Sequence, residues 1–173
     1  MDAIARFSFA ITAAITIVGW FIVARQTERR EFRKEVRDRI AELTEAATAV
    51  EAAAMLYWIQ CPAKEASTAA LSLTSAVARL SRRALVLKQA GLEFDQPVLL
   101  SEIRKAATGG DFGSKGRRRK ADDNQKMVDT AGCLEDLLVA VDTAFYTEFR
   151  PVRPSAWWRF AFLAAILLLL WHN

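Results

Sequence analysis

The chain has 173 residues, of which 53% are hydrophobic and 25% are charged, and its formal net charge is +4. This length suits one domain with short appendages, and two cysteines with a single histidine exclude a disulfide-rich scaffold and a Cys/His metal cluster. The hydrophobic residues are concentrated at the two ends, so the composition indicates a charged, water-compatible middle between two apolar segments.

The first apolar segment is the uncharged stretch FSFAITAAITIVGWFIVA at residues 7–24. Its length is close to the roughly 20 residues that a helix needs to cross a bilayer, and no signal-peptidase pattern of small residues follows it. We therefore expect an N-terminal transmembrane helix over residues 1–25.

Small residues recur on one face of this predicted helix, at Ser8, Thr12, Thr16 and Gly19. Small side chains allow helices to approach closely, so this face is a candidate for packing between spans or between copies of the chain. The alternative is that the hydroxyl groups bond back to carbonyls of their own helix.

Basic residues are concentrated directly after the first segment, in the run RQTERREFRKEVRDR at residues 25–39. Because positive charge stays on the cytoplasmic side, we expect both termini outside and residues 26–153 in the cytoplasm of a cell bounded by a bacterial-type inner membrane. The run is typical of a juxtamembrane helix with ion pairs along its faces. Its first turns are expected to contact anionic lipid headgroups.

The middle of the chain repeats apolar residues at alternating spacings of three and four. Such seams predict helices packed side by side. They extend from Phe32 to Tyr57, from Ala66 to Leu87 and from Met127 to Phe145, with a shorter helix expected from Pro97 to Thr108.

The predicted breaks between these helices are Pro62, Gly91 and the pair Gly109-Gly110, while Asp122 or Asp123 is expected to cap the last helix. No break lies between the first apolar segment and Gln60, so one helix is expected to continue from the membrane into the bundle. The predicted fold is all-α: a cytoplasmic up-down antiparallel bundle of three long helices and one short helix, flanked by two transmembrane helices.

Two stretches of the middle are candidate partner-binding sites. At the end of the first bundle helix, AAAMLYWIQCP contains Tyr57 and Trp58, which either form an interface patch or close the core. The loop at 109–122 contains GGDFGSKGRRRK, whose basic residues are candidates for an acidic partner: Arg117, Arg118, Arg119 and Lys120. The alternatives for this loop are a solvated spacer, nucleic acid and the membrane surface.

The last element is the apolar segment SAWWRFAFLAAILLLLWHN, with a predicted transmembrane helix at residues 154–173. Aromatic residues and a snorkelling arginine are expected at the two membrane interfaces: Trp157, Trp158, Arg159 and Trp171. Because this segment barely reaches the length of a span, the alternative is that it stays half-inserted until a partner draws it across.

The sequence offers no catalytic set, cofactor motif, metal site or small-molecule substrate, and Cys61 and Cys133 are expected to be buried thiols. We therefore expect a non-enzymatic, membrane-anchored interaction or regulatory module. Its expected partners are a bilayer with anionic headgroups and a protein partner or a second copy, with nucleic acid less favoured. The alternative function is a two-span effector that permeabilises the membrane on a signal.

Overall fold

The computed structural model describes residues 2–60, 65–110, 112–114 and 120–150, with side chains from Ile15 onward. The described chain is helical, without strands. It comprises α1 (Asp2–Met55), a π-helical segment (Leu56–Gln60), α2 (Ala66–Gln89), α3 (Gln96–Thr108) and α4 (Asp123–Glu148). The predicted all-α class, with three long helices and one short helix, is confirmed.

The four helices form a closed ring in chain order. α1 packs against α2 and α4, and α3 packs against the same two helices. At one end of the bundle, the Phe32 ring of α1 lies 5.8 Å from that of Phe149, just after α4. At the other end, Trp58 contacts Lys126 near the start of α4. α1 and α4 are therefore antiparallel, as expected for an up-down bundle.

The core follows the predicted seams. Most seam positions are buried, including Val36, Leu43, Val50, Leu73, Leu80, Leu134 and Val141. Several buried seam positions are alanines, which allow α1 and α2 to pack closely: Ala47, Ala54, Ala70 and Ala84. Phe32 differs from the prediction because it is 44% exposed; it precedes Val36, the first buried side chain of α1, and therefore lies outside the closed core.

The turn from α2 to α3 explains why the bundle reverses at Gly91. Gly91 has a φ of 92°, which a residue with a Cβ rarely adopts. Its N–H donates to the carbonyl of Lys88, and the N–H of Leu92 donates to the carbonyl of Leu87. This pair of bonds is a Schellman motif, and both leucines are buried beside it. The predicted glycine cap is confirmed.

The start of α4 differs in detail from the prediction. Asp122 is at the N-cap position but makes no side-chain capping bond. Instead, Asp123 is buried, and its Oδ2 accepts a hydrogen bond of 2.7 Å from the backbone N–H of Lys120. The carboxylate thus fixes the chain that enters α4.

Among the described residues, no helix combines the length and the apolarity that a membrane crossing requires. The second predicted span, at 154–173, lies outside the described residues, as do the side chains of Ser8 and Thr12. On the rest of that small-residue face, no atom lies within 4 Å of a Cβ built at Gly19. Packing of another helix on this face stays a prediction.

Candidate functional site

A basic cleft lies at the end of the bundle where α1 enters it. Its lining consists of Arg30, Arg33, Lys34 and Arg37 from α1 and Phe145 from α4, around a volume of about 260 Å³. The four basic residues share one helix face because they follow the spacing i, i+3, i+4, i+7. The volume is below the roughly 300–1,000 Å³ of typical small-molecule pockets, so the basic cleft suits a small anionic group.

Aromatic rings position two of these arginines. The guanidinium carbon of Arg33 lies 5.9 Å from the ring centre of Phe149, and that of Arg37 lies 5.6 Å from the ring centre of Phe145. Both distances are within the range of cation–π attraction. The two phenylalanines also contact each other, with ring centres 4.8 Å apart. The end of α4 therefore supports the arginines of α1.

The charges of the basic cleft are not neutralised within the described part of the chain. The described residues form two ion pairs, Arg39 with Glu35 and Arg83 with Glu42, the second at 2.5 Å. The first of these is a pair along one helix face, as expected for this basic run. Neither includes a residue of the basic cleft, and no carboxylate lines it. By contrast, the groove between α1 and α2 contains both glutamates and arginines. The basic cleft is therefore suited to an external anion.

The opposite end of the bundle is closed by an aromatic tip, which consists of Tyr57, Trp58, Phe112 and Lys126. Tyr57 and Trp58 belong to the π-helical segment and are almost completely buried, at 2% and 1% exposure. The indole N–H of Trp58 donates to the carbonyl of Ala107, 3.0 Å away, at the end of α3. The hydroxyl of Tyr57 accepts a 2.8 Å hydrogen bond from the N–H of Gly113.

Sequence reasoning missed the part of the aromatic tip that comes from Lys126 and Phe112. The ammonium of Lys126 lies 4.3 Å from a ring centre of Trp58 and donates to the carbonyl of Gly109, 2.7 Å away. The ring of Phe112 lies 4.8 Å from that of Tyr57. The sequence gives no local signal for these contacts, because each of them joins residues that lie far apart in the chain.

The predicted partner-binding residues therefore occupy different environments. The burial of Tyr57 and Trp58 matches the alternative in which they close the core, and direct contact of either ring with a partner stays a prediction. Lys120 is exposed. Arg117, Arg118 and Arg119 lie outside the described residues, as do the predicted interface residues Trp157, Trp158, Arg159 and Trp171.

The candidate chemistry of the cysteines is limited. Cys133 is a free thiol that is only partly buried, which corrects the expectation of a fully buried side chain, and Cys61 lies outside the described residues. Partial burial raises the pKa of the Cys133 thiol, and the nearby carboxylates of Glu102, Asp136 and Asp129 raise this pKa further. Such a thiol is a poor nucleophile. Across the described chain, no group of His, Cys, Asp and Glu side chains is arranged to hold a metal ion.

No protein-family model matches this sequence, and no curated protein or solved structure is significantly similar to it. Function is therefore inferred from the geometry and charge of this chain alone.

Proposed function

We propose that this protein is a non-enzymatic, membrane-anchored helical module. α1 begins in the bilayer and continues into a cytoplasmic bundle, and a second span at 154–173 returns the chain to the lipid. In this arrangement both termini lie outside, and the bundle is presented to a protein partner or to a second copy. Nucleic acid at the basic loop is the less favoured alternative.

The observation that carries this proposal is the exposure of apolar side chains on α1 before the bundle begins. These side chains are 41% to 77% exposed and belong to Ile15, Ile17, Val18, Trp20, Phe21, Ile22 and Val23. At 100° per residue they cover the whole circumference of the helix, so one neighbouring helix would leave most of them in water. A helix that is apolar on all sides is typical of burial, and lipid covers all sides at once. For residues 7–14 the proposal rests on the sequence.

The length of chain after α4 is compatible with a second span at the same membrane surface. Phe149 contacts Phe32, which lies eight residues beyond Ala24, or about 12 Å along a helix. The five residues from Phe149 to Pro154 reach at most about 17 Å when extended. The C-terminal segment can therefore start where the N-terminal segment ends.

Anchoring is tested by substituting lysine for two of the exposed apolar residues of α1. We expect the intact chain to stay in the membrane pellet after an alkaline wash. The double variant Ile15→Lys/Val18→Lys should be released in larger part than the intact chain, because each lysine near the centre of a span costs about 2.5–3.5 kcal/mol and only the proposed second span would still hold the variant.

The matched control places the same two lysines on exposed apolar positions of the bundle, as Leu71→Lys/Val139→Lys. This control should remain in the pellet. Release of the unsubstituted chain by the wash, or equal release of both double variants, would contradict membrane anchoring through α1.

The module is distinguished from a permeabilising effector by the membrane potential after induced expression. A module leaves the signal of a potential-sensitive dye unchanged, whereas rapid depolarisation would favour the effector.

The role of the basic loop is tested by replacing Arg117, Arg118, Arg119 and Lys120 with glutamine, followed by capture of bound proteins from mild detergent. If the same partner is captured with and without these charges, the loop is a spacer.

A further inference from the structure

We propose that the basic cleft binds the phosphate of an anionic lipid headgroup at the membrane surface from which α1 emerges. This inference rests on the proposed function, because it requires the bundle to be held at a membrane. It identifies the ligand of the anchored bundle as an anionic lipid headgroup, and it assigns the residues of the basic cleft to the binding of that headgroup.

The first argument is uncompensated charge in one place. Arg30, Arg33, Lys34 and Arg37 lie on one face of α1, and within the described chain none of them forms an ion pair. Arg39 shows that the same helix does pair its charges where a carboxylate is in reach. Four cations held on one face in this way attract a phosphate more strongly than cations distributed around the helix.

The second argument is preorganisation by α4. A guanidinium that lies over a ring keeps its N–H groups available to a planar or tetrahedral oxyanion. The rings of Phe145 and Phe149 hold Arg37 and Arg33 in this way. The basic cleft therefore depends on the folded bundle as well as on the basic sequence run, and an isolated juxtamembrane helix would lack its second wall.

The third argument is distance from the lipid. Arg30 lies six residues and Arg37 thirteen residues beyond Ala24, which corresponds to about 9 Å and about 20 Å along the helix. Helical side chains lean toward the N-terminus, which here is the lipid side. The headgroup layer of one leaflet is roughly 5–8 Å thick, so the side chain of Arg30 can reach it, whereas Arg37 lies beyond it. This position favours a lipid phosphate over a soluble anion.

The test uses native mass spectrometry of the full chain in mild detergent, titrated with phosphatidylglycerol or with phosphatidylcholine of identical acyl chains. The two lipids share tails and phosphate, but the first carries a net negative charge. We expect phosphatidylglycerol to bind the intact chain about tenfold more tightly, since each basic residue near a lipid surface contributes measurably to binding.

Two variants remove charge from the basic cleft. Arg30→Gln/Lys34→Gln leaves both ring contacts in place and should reduce the preference to about threefold or less, whereas adding Arg33→Gln and Arg37→Gln should abolish it. The matched control Arg79→Gln/Arg82→Gln removes the same charge from α2 and should keep the tenfold preference. Circular dichroism of each variant establishes that its helices are retained.

Each outcome separates this inference from the anchoring proposal. If both lipids bind equally while the chain resists the alkaline wash, anchoring holds and the headgroup site is wrong. If neither lipid is retained, the headgroup site is wrong, and the alkaline wash alone decides whether the chain is anchored. Tighter binding of inorganic phosphate than of phosphatidylglycerol would assign the basic cleft to a soluble anion and overturn the lipid inference. An equal loss in the α2 control would show that net charge alone causes the preference.

Discussion

Trp58 connects three parts of the bundle through one side chain. Its ring is buried against Tyr57, its N–H is bonded to the end of α3, and its face lies against the ammonium of Lys126 from α4. A buried indole needs a partner for its N–H, and the carbonyl of Ala107 provides it. The aromatic tip therefore combines apolar burial with polar contacts at the end of the core.

We expect Trp58→Ala to lower the free energy of unfolding by about 3–5 kcal/mol, because it leaves a large cavity and removes the hydrogen bond to Ala107. Trp58→Phe keeps most of the packing and should cost about 1–2 kcal/mol, since it loses mainly that hydrogen bond. The measurement is denaturant unfolding of the full chain in mild detergent, followed by circular dichroism.

Met55 provides the control for this pair, because it lies one turn earlier in α1 and is 44% exposed. Met55→Ala should change the free energy of unfolding by no more than about 0.5 kcal/mol. Equal effects of the alanine substitutions at Met55 and Trp58 would show that the aromatic tip does not close the core.

Local sequence predicted which residues are buried but not how their polar groups are satisfied. The seam spacing identified Tyr57 and Phe145 as core positions because helical periodicity is a local property. The pairing of Lys126 with Trp58 and of Arg33 with Phe149 joins residues far apart in sequence. Such pairs depend on how helices are placed against each other, which spacing within one helix does not specify.

At the scale of the elements, the helix ends were predictable where a residue imposes a backbone conformation. Gly91 ends α2 because it adopts a positive φ, and Thr108 ends α3 before a glycine pair. The π-helical segment was not predicted. It arises within a helical pattern and gives no distinct periodic signal over so few residues.

Gly91, just after α2, and Gly132, within α4, predict opposite effects of one substitution. Gly91→Ala should lower the free energy of unfolding by about 1–2 kcal/mol, because alanine is strained at positive φ. Gly132 lies on the exposed face of α4, and no atom lies within 4 Å of an added Cβ. Gly132→Ala should therefore raise the free energy of unfolding by about 0.5–1 kcal/mol.

Thermal unfolding of the two glycine variants, measured side by side in the same detergent, gives the sign of each change. A stabilised Gly91→Ala variant would contradict the Schellman turn between α2 and α3. A destabilised Gly132→Ala variant would indicate that the exposed face of α4 is covered in the intact protein.

At the scale of the whole molecule, the ring of four helices shares one core. Leu43 and Leu80, from α1 and α2, and Ile103 and Leu137, from α3 and α4, are all fully buried in the same cluster. No helix has a separate hydrophobic core. Partial unfolding of one helix therefore removes packing contacts from its two neighbours. The arrangement follows from helices that carry apolar seams and succeed one another in an up-down order, which is why the sequence could predict it.

Leu80→Ala should lower the free energy of unfolding by about 2–5 kcal/mol and accelerate amide hydrogen exchange in α2 and in its two neighbours, α1 and α3, together. Leu85→Ala, five residues later on α2 and 46% exposed, should leave exchange nearly unchanged. Hydrogen exchange with mass spectrometry of the detergent-solubilised chain measures both. Faster exchange confined to α2 would show that the helices unfold separately.

The uninterrupted course of α1 has a mechanical consequence. A helix without a hinge moves as a rigid rod, so a tilt at one end displaces the other end. Met55 lies 31 residues, or about 47 Å, beyond Ala24. If the N-terminal part of α1 spans a membrane as proposed, a change of its tilt by about 10°, as occurs when a span adapts to bilayer thickness, moves the distal end sideways by about 8 Å. A small adjustment at the lipid thus becomes a displacement large enough to separate the distal end of the bundle from a bound neighbour.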